Sequence, residues 1–247
     1  MTTQLLTYLP WDSAHFGFRI ARALPRRLDA NTYRQLVDAC QDQSIECLYF
    51  LADASHPTTI LTLQANHFDF IDIRLILAGR IRNIPSPPLA DNIQFRLGHE
   101  GDLAPLLPIA ETSYTMSRFY VDPRFGSDKA ALMFQIWLEK SLTTDFADAV
   151  IVAELAGIPV GFVTCHFHKP ADEVNVGLVG LAESTRGMGV ASGMMAYVRA
   201  WVSTQGFDRL NAATQGSNIG AQRLHQRGGL MTRSVDLWFH KWFTSLT

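Results

Sequence analysis

Between Arg186 and Ala191 the chain reads Arg-Gly-Met-Gly-Val-Ala, a turn with few bulky side chains at the point where an apolar strand pattern gives way to a helical one. The start of a helix leaves backbone N–H groups without partners and carries a partial positive charge, so an open turn there lets an anion reach several donors at once. The chemistry on offer is the holding of a phosphate on the N–H groups of Gly187, Met188, Gly189, Val190 and Ala191. Arg118 and Tyr120, within TMSRFYVDPRF, offer a planar fork suited to phosphate and a ring that can stack on a flat ligand. His225, within QRLHQR, is an imidazole that changes charge near neutrality. His166 and His168 share a strand face, but a metal needs a third ligand that the sequence does not place, and none is expected.

These residues need a strand before the turn and a helix after it. In residues 173–181, Val174, Val176 and Leu178 alternate in one phase and Val179 and Leu181 in the other, so the apolar set changes face between Leu178 and Val179. A bulge does that. After the turn, Val190, Met194, Val198, Trp201 and Val202 recur at helical spacing and form one apolar stripe. Asn218 follows a strand at 207–214 and caps a helix to about Arg227, with Ala221 and Leu224 inward.

Elsewhere strands are expected at 5–9, 17–23, 45–52, 68–78, 93–97, 149–155, 160–167 and 235–243. Helices are expected at 31–43 with Asn31 as cap, from Pro57 with Ile60, Leu61 and Leu63 inward, up to about Tyr114, and at 128–141 with Ser127 as cap and Leu132, Ile136 and Trp137 buried. Trp11 to Gly17, WDSAHFG, reads as a turn with aromatics packed beneath it. Residues 85–92, PSPPLADN, have the composition of a linker. The expectation is an α/β (α+β) chain in two parts, a smaller N-terminal α/β domain at 1–88 and a second domain at 92–247.

The 247 residues are 47% hydrophobic and 18% charged, the balance of a soluble globular protein, and the net charge of -2 gives no reason to expect nucleic acid or an anionic membrane as partner. Three cysteines in unpaired spacing suggest neither a disulfide framework nor a zinc knuckle. The first residues lack a basic and then apolar leader pattern, and no stretch has the length of a membrane span, so a cytoplasmic location is expected. Trp238 and Trp242 suit either a core or a subunit contact, which leaves a homodimer open.

Two other fingerprints fail at the turn. GxGxxG has Ser192 where its third glycine belongs, with Gly193 one residue late, and the nearest acidic residue, Asp208, falls at the start of a strand rather than at its end. The P-loop lacks its Gly-Lys-Ser/Thr ending. The pattern R/QxxGxG/A is met by Arg186, Gly189 and Ala191. With the phase change before it and Asn-Ile-Gly-Ala at 218–221 after it, this segment resembles the acetyl-CoA-binding motif of the GNAT acyltransferases, and the element order from Ile93 onward is similar to their fold. A narrower resemblance joins WDSAHFG, the proline-bearing linker, SRFYVDPRF and the helix after it to the bacterial TDP-fucosamine acetyltransferases, which N-acetylate a dTDP-linked 4-amino-4,6-dideoxygalactose.

The resemblance implies a C-terminal GNAT fold with a split mixed sheet, with acetyl-CoA as cosubstrate. The bulge would free backbone groups near Val179 and Leu181 for pantetheine, the 186–191 turn would hold pyrophosphate, and Asn218 would bond pantetheine. The acceptor would be a small-molecule amine on a sugar nucleotide, met by Arg118 and Tyr120. Family members commonly protonate the leaving thiolate with a tyrosine, and His225 stands at that position as a departure. An imidazolium is a stronger acid than a phenol, whereas a neutral imidazole is a poor donor, so the role requires a charged or water-relayed form. Glu183 is the candidate base. Two alternatives stay open: another amine as acceptor, such as an antibiotic, a polyamine or a peptide, and a non-catalytic CoA-binding sensor, which the missing tyrosine motivates.

Overall fold

The computed structural model describes residues 4–82, 84, 89 and 92–243. The first part contains β1 (Leu6–Tyr8), α1 (Pro10–Phe16), β2 (Ile20–Ala23), α2 (Ala30–Asp42), β3 (Cys47–Asp53), α3 (Pro57–Ala65) and β4 (Asp69–Arg80). There follow β5 (Ile93–Leu97), α4 (Leu103–Thr112), α5 (Arg118–Val121), α6 (Ser127–Thr143), β6 (Ala149–Leu155), β7 (Ile158–His168), β8 (Glu173–Leu181), α7 (Val190–Thr204), β9 (Arg209–Gln215), α8 (Ile219–Arg227) and β10 (Met231–Trp242). Among the described residues no helix is long and apolar enough to cross a membrane.

Among the described residues, ten strands join one sheet in the order β1-β2-β3-β10-β4-β9-β8-β7-β6-β5. The pairs β2/β3 and β8/β9 are parallel, and the pairs around β10 and β4 are antiparallel. The chain's last strand thus lies between β3 and β4, and β4 pairs with β9, so the sheet runs unbroken across the two expected parts. The expected linker at 85–92, apart from Leu89 and Asn92, lies outside the described residues.

Alternation along the strands decides which core each side chain enters. In β3, Leu48, Phe50 and Ala52 face a core shared with Leu36 and Cys40 of α2 and Leu63 of α3. Cys47 and Tyr49 face the other side, toward Phe16 of α1 and Met133 and Phe134 of α6. A strand covered on both faces reads as a continuous apolar run, as CLYFLAD does. Farther along the sheet, Val190, Met194, Val198 and Val202 of α7 pack on Ile151, Val163 and Val176. Val150, Val152 and Phe162 face Leu106 and Ile109 of α4.

Several local expectations are corrected. WDSAHFG is mostly helix: Pro10 opens α1, and Gly17 closes it at φ 88 with its N–H donated to Ser13 O. Asp29, not Asn31, caps α2 through its side chain to the Thr32 N–H. Gly126 rather than Ser127 precedes α6, with no side-chain cap. In α6 the buried stripe is Ala130, Met133, Phe134 and Leu138, which leaves Leu132 exposed, and in α3 Thr59 and Leu63 are buried while Leu61 is exposed. Trp238 and Trp242 sit on an interior strand against the core beneath α1 and α6, so they supply no argument for a homodimer.

Candidate active site

The turn after β8 has the backbone an anion cradle needs. Gly187 (φ +80) and Gly189 (φ +77) are left-handed, where a side chain is strained, and a Cβ added at Gly187 would meet open space. Gly189 is the residue before α7, and no side chain caps that helix. The N–H groups that open a helix have no intrahelical acceptor, so those of α7 face outward for a ligand. Val190 is buried and anchors the turn, Met188 is exposed, and Arg186 pairs with Glu183 at 2.8 Å in solvent. Glu183 is therefore engaged at the surface beside the turn.

Next to the cradle the sheet splits. β8 pairs with β9 only at Val174, Val176 and the residue between them, against Leu210 to Ala212. Beyond that point both strands continue without each other, to Leu181 and to Gln215. On the other side of β8 the register steps from Cys165↔Val176 to Val163↔Val179, so Gly177 and Leu178 together oppose Thr164. This is the expected bulge, one residue earlier than the change of phase suggested. A Cβ at Gly177 would come within 2.5 Å of both Thr164 Oγ1 and His166 Nε2, so only glycine fits there without movement.

The bulge also settles which amides face the opening. The N–H of Leu178 donates to Thr164 Oγ1 at 2.8 Å, and that of Ala182 donates to Val160 O at 2.8 Å, both toward β7. Alternation then turns the N–H groups of Val179 and Leu181 toward the open edge of β8. The Tyr114 hydroxyl is buried there and, among the described residues, finds no acceptor for its proton. Burial pushes its phenol well above the ordinary range, and the facing Val179 amide opposes that shift.

A cavity of about 400 Å³ lies between β9, β10, β4 and the α5 region. Its wall includes Arg22, Asp72, Arg74, Ser117, Arg118 and Trp238, and Thr214 and Gln215 bring it to the free end of β9. The guanidinium carbon of Arg118 lies 4.1 Å from the ring centre of Tyr49, 4.2 Å from Phe119 and 4.3 Å from Trp238. Among the described residues Ser117 Oγ is buried without a partner, and the buried Tyr49 hydroxyl lies beside Arg118 and Asp12. Asp72 has its pKa raised to about 6 by burial, opposed by a hydrogen bond from the Ile73 N–H and by the charge of Arg118. Arg74 stands 3.9 Å from the buried carboxylate of Asp236, which Arg26 also pairs with.

The other expected site residues lie apart from this wall. Tyr120 is not on it; its hydroxyl donates to Glu111 O at 3.4 Å. Asn218 caps α8, its Oδ1 accepting the Ala221 N–H at 3.0 Å. His225 is 4% exposed, its Nδ1 has no partner among the described residues, and burial lowers its pKa to about 4. The imidazolium that an acid role asks for is thus disfavoured where His225 sits.

Residues 111–229 match the acetyltransferase (GNAT) family. The chain carries a GNAT acetyltransferase domain. That family transfers an acyl group from acetyl-CoA or another acyl-CoA to an amine. A curated relative, the spore coat polysaccharide biosynthesis protein SpsD of Bacillus subtilis (strain 168), is 29% identical over 150 residues, 60% of this chain and 51% of that protein. The match thus spans about half the length of the relative. Among solved structures, a GCN5-related N-acetyltransferase from Sphaerobacter thermophilus has a TM-score of 0.68 at 16% identity, covering 96% of this chain and 76% of that one. Another from Kribbella flavida has a TM-score of 0.67 at 14% identity, covering 100% and 90%. At such identities the likeness is one of fold.

The GNAT match takes in Tyr114, Arg118, the bulge, the 186–191 turn and His225. Arg22, Asp72, Arg74 and Trp238 lie outside it yet share the cavity wall with Arg118. Nothing in the sequence alone marks Arg22 or Tyr114 as a site residue, and Trp238 reads there only as core or subunit contact. For Asp72 and Arg74 a signal existed, since two charged residues two apart in the apolar run FDFIDIRLIL share one strand face.

Proposed function

We propose that this protein is an acyl-CoA-dependent N-acetyltransferase whose acceptor is the amine of a nucleotide-linked amino sugar, of the dTDP-4-amino-4,6-dideoxygalactose type. The observation that carries the reading is the cavity beside the split, where three arginines, Arg22, Arg74 and Arg118, share a wall with one carboxylate, Asp72, and one indole, Trp238. Guanidinium forks suit a diphosphate, an indole face suits a base or sugar ring, and a carboxylate of raised pKa suits an amine proton. The name of the Bacillus relative, in polysaccharide biosynthesis, is consistent with a sugar acceptor.

Acetyl-CoA supplies the acetyl group as a thioester. In this reading the N–H groups of Gly187, Gly189, Val190 and Ala191 hold its pyrophosphate, while that of Met188 already donates to Thr185 O at 3.3 Å, and the open edge of β8 at Val179 and Leu181 pairs with its extended amide chain as a neighbouring strand would. Asp72 takes the proton of the attacking amine as the C–N bond forms. A free N–H of this open edge stabilises the oxygen that becomes negative, and the C–S bond then breaks. Tyr114 offers its O–H to the departing sulfur, having a proton to give and no acceptor among the described residues to receive it. His225 is the alternative donor, through a water relay because its imidazole is held neutral.

The test is release of free thiol from acetyl-CoA by purified protein given a panel of amines. Turnover on a dTDP-linked amino sugar is expected; turnover on antibiotics, polyamines or peptides with none on the sugar nucleotide would replace the acceptor.

A further inference from the structure

Behind Arg118 runs a buried chain of side chains that the reaction itself does not use. Asp122 and His240 are both fully buried. Asp122 Oδ2 lies 2.8 Å from His240 Nδ1 and accepts the Trp242 indole N–H at 2.9 Å, while Oδ1 accepts Arg124 Nε–H at 2.7 Å. Beyond the imidazole, His240 Nε2 is 3.2 Å from Arg118 Nη1. A guanidinium has only donors, so Nε2 is the acceptor and the ring hydrogen sits on Nδ1, donated to Asp122. Both ends of the ring therefore select one neutral tautomer. Burial lowers the His240 pKa to about 4; Asp122 works against this, and the charges of Arg118 and Arg124 reinforce it. For Asp122, burial raises the pKa, but the hydrogen bonds from His240, Arg124 and Trp242 outweigh that and hold the carboxyl well below the usual range.

The three rings around Arg118 restrain the plane of its guanidinium, and the bond to His240 decides which edge of that plane faces inward. Arg118 has no salt bridge among the described residues, and although the Tyr49 hydroxyl and the charges of Asp12 and Asp72 lie near it, it lines the cavity with N–H groups left for a ligand. We propose that His240, held by Asp122, is a positioning residue for acceptor recognition: it orients Arg118 so that a free N–H edge of the guanidinium meets the anionic group of the acceptor. The proposal rests on the acceptor reading above.

Calorimetric binding of dTDP to wild type, His240→Phe, Arg118→Ala and the double variant tests it. His240→Phe is expected to weaken dTDP binding about tenfold and Arg118→Ala at least as much, and the double variant should bind no more weakly than Arg118→Ala alone. His240→Gln, which keeps an acceptor atom, should recover part of the loss. The KM for acetyl-CoA should change by less than about twofold in His240→Phe, which separates positioning from a damaged fold. Nitrogen NMR of the wild type should find His240 as the neutral Nδ1–H tautomer at about pH 7, a readout that needs no variant. Unchanged dTDP binding by His240→Phe, a fully additive double variant, or the Nε2–H tautomer would overturn the positioning role. Absence of dTDP binding by wild type would instead overturn the acceptor reading, and the role with it.

Discussion

Thr164 holds the bulge of β8 open by accepting the Leu178 N–H on its side-chain oxygen, at 2.8 Å. The hydroxyl replaces the backbone carbonyl that a regular ladder would supply, so the strand can carry an extra residue without stranding an amide. Thr164→Val keeps the shape and removes the acceptor. It should destabilise the fold by about 1–3 kcal/mol, and it should raise the KM for acetyl-CoA because the edge at Val179 is no longer set. Gly177→Ala should destabilise by a similar ~1–3 kcal/mol through crowding against Thr164 and His166. Urea unfolding with parallel kinetics checks both.

Asp72→Asn should lower kcat by about 10²–10⁴-fold, the range for loss of a general base. In the wild type, kcat/KM should rise with pH through about 6 as Asp72 ionises. Stability should move the opposite way. The folded pKa lies above the unfolded value of 3.8, so the folded state binds this proton more tightly, and the stability it contributes at low pH is lost as pH rises through about 6. At neutral pH the neutral Asn should therefore melt higher than wild type while being nearly inactive. Thermal melts and a pH–rate profile read the two together.

Gly187→Ala tests the cradle with little steric ambiguity, because its Cβ meets nothing within 4 Å. The penalty is one left-handed residue with a side chain, about 1–2 kcal/mol. If the turn relaxes to avoid that strain, its N–H groups turn away from the pyrophosphate. The expected result is a higher KM for acetyl-CoA with the acceptor KM unmoved.

Tyr114→Phe and His225→Phe divide the proton donor between two residues. Tyr114→Phe should lower kcat by about 10²-fold, as expected for a lost acid. His225→Phe should stay within about threefold of wild type, since burial keeps that imidazole neutral. The reverse pattern would give the role to His225. Single-turnover acetyl transfer measured at saturating substrates makes the comparison free of binding effects.

What could be read before folding was local. The α7 stripe, the glycine turn, the Asn218 cap and the change of phase in β8 are each written within a few consecutive residues, and each appears where expected or one residue away. What escaped reading depends on partners far along the chain. Asp122 meets His240 only because β10 is inserted between β3 and β4, and Arg22 reaches Arg118 only through the packing of β2 beside β3. No periodicity within 118–125 says that Arg118 will be stacked among three rings. The short helix α1 was missed because Pro10 and Gly17, which bound it, also bound ordinary turns.

In the proposed reading the arginine-lined cavity beside the split receives a sugar nucleotide, and its amine is acetylated there. The most direct measurement is thiol release from acetyl-CoA with dTDP-4-amino-4,6-dideoxygalactose, compared with the same amino sugar lacking the nucleotide. The nucleotide-linked sugar is expected to turn over with a kcat/KM at least about 100-fold higher, the worth of two or more charge-assisted hydrogen bonds to phosphate. Equal turnover of both sugars, or thiol release with neither, would contradict it.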